Sequence, residues 1–414
     1  MLKGRLEDDR MLTGRGRYVS DWNLPGQAYA HFLRSDRAHA EILSIDKQAA
    51  LASPGVLAVF TGEDIKAALK SLPAALPAKG RGGTELINPG RPALAQERVR
   101  FAGDAVALVV AESAAAAQDA AELVAVDYRD LPAVIAASDA VAPGAPLVHQ
   151  AVPDNIVLDF ESGNEALTEK AFAGAARVVK LSVHNSRVVG NPMEPRACLA
   201  AYLPEEGMYH IYTCTQGAPI MRNQLSAVLG VPPEKIRVIA EEVGGGFGVR
   251  FNLYPEYCAA LFAAKALGRP VKWTGTRSEV FLADEQARDL LSHGELALDA
   301  SGRIVGMRFD MLANLGAYLA PTGPFVHTIG IVNCLSGVYD VPAAYARIRL
   351  ALTNTAPMAA YRGAGRPVMS YALERLVEHA AAELRVDAAQ LRRKSFIPKE
   401  RFPYRIAAGF EYDC

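Results

Sequence analysis

Apolar and polar residues change rhythm along the chain, and the changes mark out its elements. Residues 28–35, 40–45 and 56–60 read as strands, broken by Asp46 and by Ser53-Pro54-Gly55. Residues 72–92 are irregular and rich in Pro and Gly, a length that marks a functional or mobile loop rather than a plain connection. Residues 98–113 predict a strand, a turn and a second strand ending at Ser113, which suits the cap of an alanine-rich helix over 114–124. A further strand follows over 124–128. This mixture predicts a compact α/β domain over residues 1–142, with Pro143-Gly144-Ala145-Pro146 as the way out of it and a second domain over 143–414.

In the second domain an extended segment over 178–189 runs into Gly190-Asn191-Pro192-Met193-Glu194-Pro195-Arg196, where two prolines forbid regular pairing. Glu194 beside Arg196 reads as a turn held by a local ion pair, with a functional site as the less common alternative. A strand over 209–215 leads to Gln216. Pro219 and Gly230 then bracket a helix over 220–229. The segment 236–242 ends in Val243-Gly244-Gly245-Gly246-Phe247-Gly248, and the next helix begins only at Pro255 and closes at Gly268. Strands are expected over 304–312 and 346–353. The clearest helix carries Leu373, Leu376, Val377, Ala380, Ala381 and Leu384 on one face, with Glu374, Glu378 and Arg385 opposite. Asp387 with Gln390 resembles a capping box for a last helix over 391–396.

Bulk properties narrow the function. The 414 residues are 50% hydrophobic and 21% charged, with a formal net charge of −1. No basic excess exists to neutralise phosphates, so neither nucleic acid nor an anionic membrane is an expected partner. The apolar runs are too short for a membrane span, and the N-terminus lacks the apolar core of a secretory signal, which points to the cytoplasm. Five cysteines (Cys198, Cys214, Cys258, Cys334, Cys414) are scattered with no C-x-x-C pair. Clustered thiolates for an iron–sulfur centre or structural zinc are therefore not expected in this chain.

Candidate chemistry gathers at two glycine-rich loops. The first, 243–248, fails both common phosphate-loop patterns: no Gly-Lys-Ser/Thr follows it, and the third position of a G-x-G-x-x-G register would be Val249. It also precedes its helix by several residues, so it is not a simple helix-terminus phosphate cradle. Its plain reading is a tight turn at a strand end. Gln216 could donate and accept at a site built from strand ends, though such a residue more often bonds loop backbone. The second loop, Ala360-Tyr361-Arg362-Gly363-Ala364-Gly365-Arg366-Pro367, places two guanidiniums between glycines, a forked donor set that suits phosphate or oxyanions. A capped loop with solvated arginines is the alternative. His293, His327 and His379 are isolated and read as structural.

These strings carry a resemblance. Arg-Phe-Ala-Gly-Asp at 100–104, Ala-Glu-Ser-Ala-Ala-Ala-Ala at 111–117 and Val-Asp-Tyr-Arg-Asp-Leu-Pro-Ala-Val at 126–134 resemble the α/β hammerhead domain of the xanthine dehydrogenase and aldehyde oxidase family. Pro-Met-Glu-Pro-Arg at 192–196, the 243–248 loop with Leu253-Tyr254-Pro255-Glu256, Thr276-Arg277-Ser278-Glu279, and Ala-Tyr-Arg-Gly-Ala-Gly-Arg-Pro at 360–367 are similar to segments of its molybdenum-cofactor-binding domain. The implied fold class is α/β (α+β), a hammerhead domain followed by the first part of that cofactor domain. The resemblance, which is to large chains of the carbon monoxide dehydrogenase kind, covers nearly all of this sequence but only the first half of the family's subunit.

The resemblance also implies a function. It places Gly245, Gly246, Phe247 and Gly248 against molybdopterin, with Phe247, Gln216 and Arg362 near the molybdenum and Gly363 and Ala364 beside them. Arg362 is the implied catalytic residue. The implied activity is that of a molybdenum hydroxylase oxidising an aldehyde or N-heterocycle with water as the oxygen source. The cofactor would be molybdopterin in its cytosine dinucleotide form. Electrons would pass to an iron–sulfur small subunit carrying 2Fe-2S and to an FAD-binding medium subunit. Three departures matter. Phe251 stands where xanthine dehydrogenases carry a substrate-binding glutamate, which disfavours purines. Gly363 stands where carbon monoxide dehydrogenases carry a copper-binding cysteine. No G-x-G-E string, the setting of the family's general base, occurs in the 414 residues. The base is then expected from the other half, in a separate chain or in the rest of a fragmented one. The alternative is a truncated, non-catalytic scaffold or assembly module.

Overall fold

The computed structural model describes residues 4–413. Residues 1–3 of the stretch read for a secretory signal, and Cys414, lie outside them. The chain forms two compact units that interleave along the sequence. The first takes the described chain up to Pro73, Gly90–Pro132 and Gly190–Asp284; the second takes Ala74–Pro89, Ala133–Val189 and the described chain from Glu285 on. The expected boundary at 142–143 falls within the Ala133–Val189 segment of the second unit. Both units combine helices with sheets, in keeping with the α/β (α+β) class.

Strands from both ends of its sequence build the first unit's main sheet. Their spatial order is Ile236–Ile239, Met208–Thr213, Ala197–Leu203, Val271–Thr274, Ala28–Arg34, Ala105–Ala111 and Val56–Thr61. Ala105–Ala111 is buried at every position, which explains its unbroken apolar text. Its alternate residues serve two cores. Leu108 and Val110 face the core of Cys198, Ile211, Leu261 and Trp273, to which the helix Pro255–Leu267 contributes. Ala107 and Val109 pack with Ala120 and Ala121 of the helix Ala114–Ala121. That helix starts where Ser113 accepts the Ala116 N–H at 3.1 Å. Gly230 and Gly268, both left-handed, end the helices Ala218–Leu229 and Pro255–Leu267 as expected. A smaller sheet orders Arg98–Val99, Ala40–Asp46 and Ala125–Asp130.

The second unit is built on five strands in the order Ile156–Gly163, Ala344–Ala351, Ile304–Asn314, Gln286–Leu298 and Arg177–Val189. The helix Arg366–Leu384 crosses the last two, burying Leu373, Leu376, Val377, Ala380 and Ala381, the apolar stripe legible in the sequence. Asp387 caps the following helix, Ala388–Ser395, by accepting the Gln390 N–H at 2.8 Å.

Candidate functional site

Met208–Thr213 and Ile236–Ile239 run parallel and adjacent, so their carboxyl ends open at the same side of the first unit's sheet. That end is where α/β sheets place ligand sites. Gln216 follows the first strand and the glycine loop follows the second. The Gln216 Oε1 accepts the Gly248 N–H at 2.7 Å, and its own N–H donates to the Arg250 carbonyl at 3.0 Å. The fit is close: a Cβ on Gly246 would stand 2.5 Å from the Gln216 side-chain carbon. Glycine is needed there for approach, whatever its dihedral angles.

The loop's other end is held by Glu194. Its Oε2 accepts the Gly244 N–H at 2.7 Å, its Oε1 accepts the Val19 N–H at 3.1 Å, and its N–H donates to the Gly244 carbonyl at 3.1 Å. A local Glu194–Arg196 ion pair is therefore not what holds this turn. Arg196 instead points into the protein, donating to Glu256 at 2.6 and 3.0 Å and to Asp284. Its guanidinium lies 4.0 Å from the Tyr254 ring centroid. Arg250, just past the loop, donates to Asp284 at 3.0 Å and to the Glu194 carbonyl at 2.9 Å. Arg34 donates to Glu256 at 2.9 Å. Burial opposes the Glu256 charge, but Arg196 and Arg34 outweigh it and hold this carboxyl well below the usual carboxylate range. Pairing is what lets these charges stay buried.

With both ends fixed, the loop keeps its middle open. Among the described residues the N–H groups of Gly245, Gly246 and Phe247 meet no protein acceptor. Phe247 takes a left-handed φ of 52° and is 41% exposed. A bulky residue in that conformation is strained, and such strain collects at functional sites. Unpaired backbone donors beside a displayed aromatic ring are the kind of feature that suits an anionic group.

Arg362, Gly363 and Ala364 belong to the second unit. Gly363, Ala364 and Gly365 are consecutively left-handed, with φ of 103°, 47° and 92°, and the helix Arg366–Leu384 begins directly after them. A Cβ on Gly365 would stand 2.3 Å from the Val326 carbonyl oxygen. Arg362 is exposed, and among the described residues no ion pair or hydrogen bond engages its side chain. A free guanidinium ahead of a 19-residue helix gathers positive potential from charge and macrodipole together. The histidines are occupied elsewhere: His293 meets Ser182, His379 meets Glu383, and the buried His327 faces the carbonyls of Gly323 and Arg288. No cluster of His, Cys, Asp and Glu able to hold a metal ion occurs among the described residues.

The first unit thus offers a donor-lined loop at its strand ends, and the second offers an arginine loop ahead of a helix; each by itself suits anionic groups. Comparison with known proteins agrees. Residues 148–396 match the molybdopterin cofactor-binding domain, and residues 13–132 match the a/b hammerhead domain of aldehyde oxidase and xanthine dehydrogenase. The chain belongs to the xanthine dehydrogenase and aldehyde oxidase family and corresponds to the N-terminal half of its molybdenum-binding large subunit. It is 36% identical to the carbon monoxide dehydrogenase large chain of Hydrogenophaga pseudoflava, over 98% of this chain and 51% of that one. It is also 36% identical to the nicotine 6-hydroxylase large subunit of Paenarthrobacter nicotinovorans, over 99% and 49%. The crystal structure of quinoline 2-oxidoreductase from Pseudomonas putida 86 superimposes with a TM-score of 0.92 at 34% identity, covering 99% of this chain and 51% of that one. The chain thus spans about half the length of these relatives.

The Glu194 clamp and the Arg34–Arg196–Arg250 network are not legible in the sequence: of their members only Arg250 stands beside the glycine loop, and the partners lie far apart in the chain.

Proposed function

We propose that this chain forms one wall of the cofactor pocket of a molybdenum hydroxylase that oxidises an aldehyde or N-heterocycle, with water as the oxygen source. The observation that carries the reading is the clamped glycine loop, whose three unpaired N–H groups fit the anionic groups of molybdopterin. The cofactor, when bound, supplies the two-electron redox chemistry and activates the oxygen donor. The chain's own contribution is positional. Gly245, Gly246 and Phe247 offer donors, Gln216 fixes Gly248, and the exposed Phe247 ring limits water on that wall. Arg362 steadies anionic oxygens, and Gly363 and Ala364 shape the backbone next to it.

An N-heterocycle is favoured because two of the similar proteins are named for nicotine and quinoline, and because Phe251 offers no carboxylate to a purine. Gly363 leaves no thiolate for copper. We assign the pterin to its cytosine dinucleotide form and the electron path to iron–sulfur and FAD partners. A second reading, a non-catalytic scaffold, draws on the carboxylates flanking the glycine loop. Glu194 is committed to two N–H groups and Glu242 to Arg10 and the Arg17 N–H, so neither is free to act as a base.

The test is metal and pterin analysis of the purified chain, alone and with the remaining half of the family's subunit. Near-stoichiometric molybdenum in the combined preparation is expected, and none in either would sink the enzyme reading. In the active preparation, Arg362→Ala should abolish turnover with an unchanged melting temperature. Unchanged turnover would remove Arg362 from the mechanism.

A further inference from the structure

The strand Gln286–Leu298 contains an anomaly that the proposed function leaves unused. Two consecutive residues that are not glycine, Arg288 and Asp289, are left-handed, with φ of 72° and 50°. Aspartate tolerates that region, whereas for arginine it is costly. The pairing ladder with Arg177–Val189 registers Arg288 against Arg187 and Leu290 against Asn185, with Asp289 unregistered between them.

The surroundings fix this kink from several directions. Asp289 accepts from Arg187 at 3.1 Å, from the Asn314 amide at 3.0 Å, and meets His184 at 3.1 Å. Arg187 also donates to Gln286 at 2.8 Å and to Thr355 at 2.7 Å. The buried His327 reaches the Arg288 carbonyl at 3.1 Å. With Asp289 already taken, Arg288 is left without a counter-ion: among the described residues no hydrogen bond or ion pair engages its guanidinium. It lies instead against the Tyr361 ring, 5.5 Å from the centroid. Tyr361 is the residue before Arg362, whose guanidinium is likewise unpaired. An unpaired guanidinium thus lies against the ring that precedes a second unpaired arginine in the chain, and the backbone that carries it is strained. Such an arrangement is stabilised by an incoming anion.

We propose that Arg288, with Tyr361 beside it and Arg362 next in the chain, forms an anion-binding site for a carboxylate or phosphate group. Arginine's planar fork suits either group, and the tyrosine ring keeps the guanidinium oriented. The inference rests on reading the Arg362 loop as part of a binding site, and it adds a residue that neither spacing nor motif singles out. A phosphate would come from the cofactor, a carboxylate from the substrate.

Calorimetric titration of the full chain at low ionic strength, with pyrophosphate and separately with benzoate, tests it. Binding of at least one probe is expected, weakened tenfold or more in Arg288→Gln. Arg288→Gly should lose binding to the same degree while its melting temperature stays equal or rises, because glycine adopts this φ without strain. Preference for pyrophosphate assigns the site to a cofactor phosphate, and preference for benzoate assigns it to a substrate carboxylate. No binding by the parent chain, equal binding by Arg288→Gln, or a drop in melting temperature for Arg288→Gly overturns the proposal. Molybdenum and pterin content of the same samples reports separately on the proposed function. Arg288-dependent binding in a chain that never loads pterin would leave this site standing and that reading refuted.

Discussion

Gly246 shows how tightly one position is set by its neighbour. A methyl group there would meet three atoms of the Gln216 side chain at 2.5, 2.6 and 2.8 Å, while the Gln216 oxygen is tied to the Gly248 N–H. Either the carboxamide leaves or the loop shifts. Gly246→Ala is expected to cost about 1–3 kcal/mol by overpacking, measured by denaturant unfolding. Gln216→Ala removes the obstructing atoms, so the double variant should be less destabilised than the sum of the two single ones. Strict additivity would mean that the two residues do not share this space. The glycine string was legible as a close-packed turn, because runs of glycine have few other uses. That Gln216 is the packing partner was not legible from spacing: 30 residues separate it from Gly246, and only the parallel pairing of two strand ends brings them together.

At the scale of elements, the helix Pro255–Leu267 is joined to the loops around it by charge as well as by apolar packing. Glu256, in its first turn, binds Arg196 and Arg34, and Arg196 in turn reaches Asp284. Glu256→Gln leaves a buried guanidinium short of charge and is expected to cost about 3–5 kcal/mol at neutral pH. The pH dependence has a definite sign. The folded carboxyl is held below its ordinary value of 4.5, so its stabilisation is present above that value and is lost as pH falls toward the folded pKa. The parent's stability to urea should fall on acidification below about pH 4.5, and Glu256→Gln should show a shallower decline. Identical slopes would remove Glu256 as a contributor. Pro255 and Gly268 marked both ends of this helix correctly, although it is buried on nearly every side and carries no single apolar stripe. Arg196 misled because two adjacent opposite charges suggest each other, and only the tertiary fold shows that each has a buried partner elsewhere.

Across the whole molecule the cysteines bear on where electrons go. Cys198, Cys214 and Cys258 are buried in the first unit, and Cys334 is half-buried in the second. Burial pushes all four thiols up, that of Cys334 to about 11. Cluster assembly needs thiolates that iron can reach; the three buried thiols offer neither charge nor access, and half-buried Cys334 stands alone with its thiol held neutral. In the function proposed above, an electron path out of the molybdenum centre would therefore run through thiolates other than these four. The expected result is that anaerobic incubation of the folded chain with ferrous iron and sulfide leaves no visible iron–sulfur absorbance after desalting. The same treatment of a urea-unfolded sample should expose thiols to a colorimetric reagent that the native chain withholds. A stable, desalted cluster spectrum on the native chain would contradict the argument, because it would require thiolates that the fold keeps protonated and enclosed.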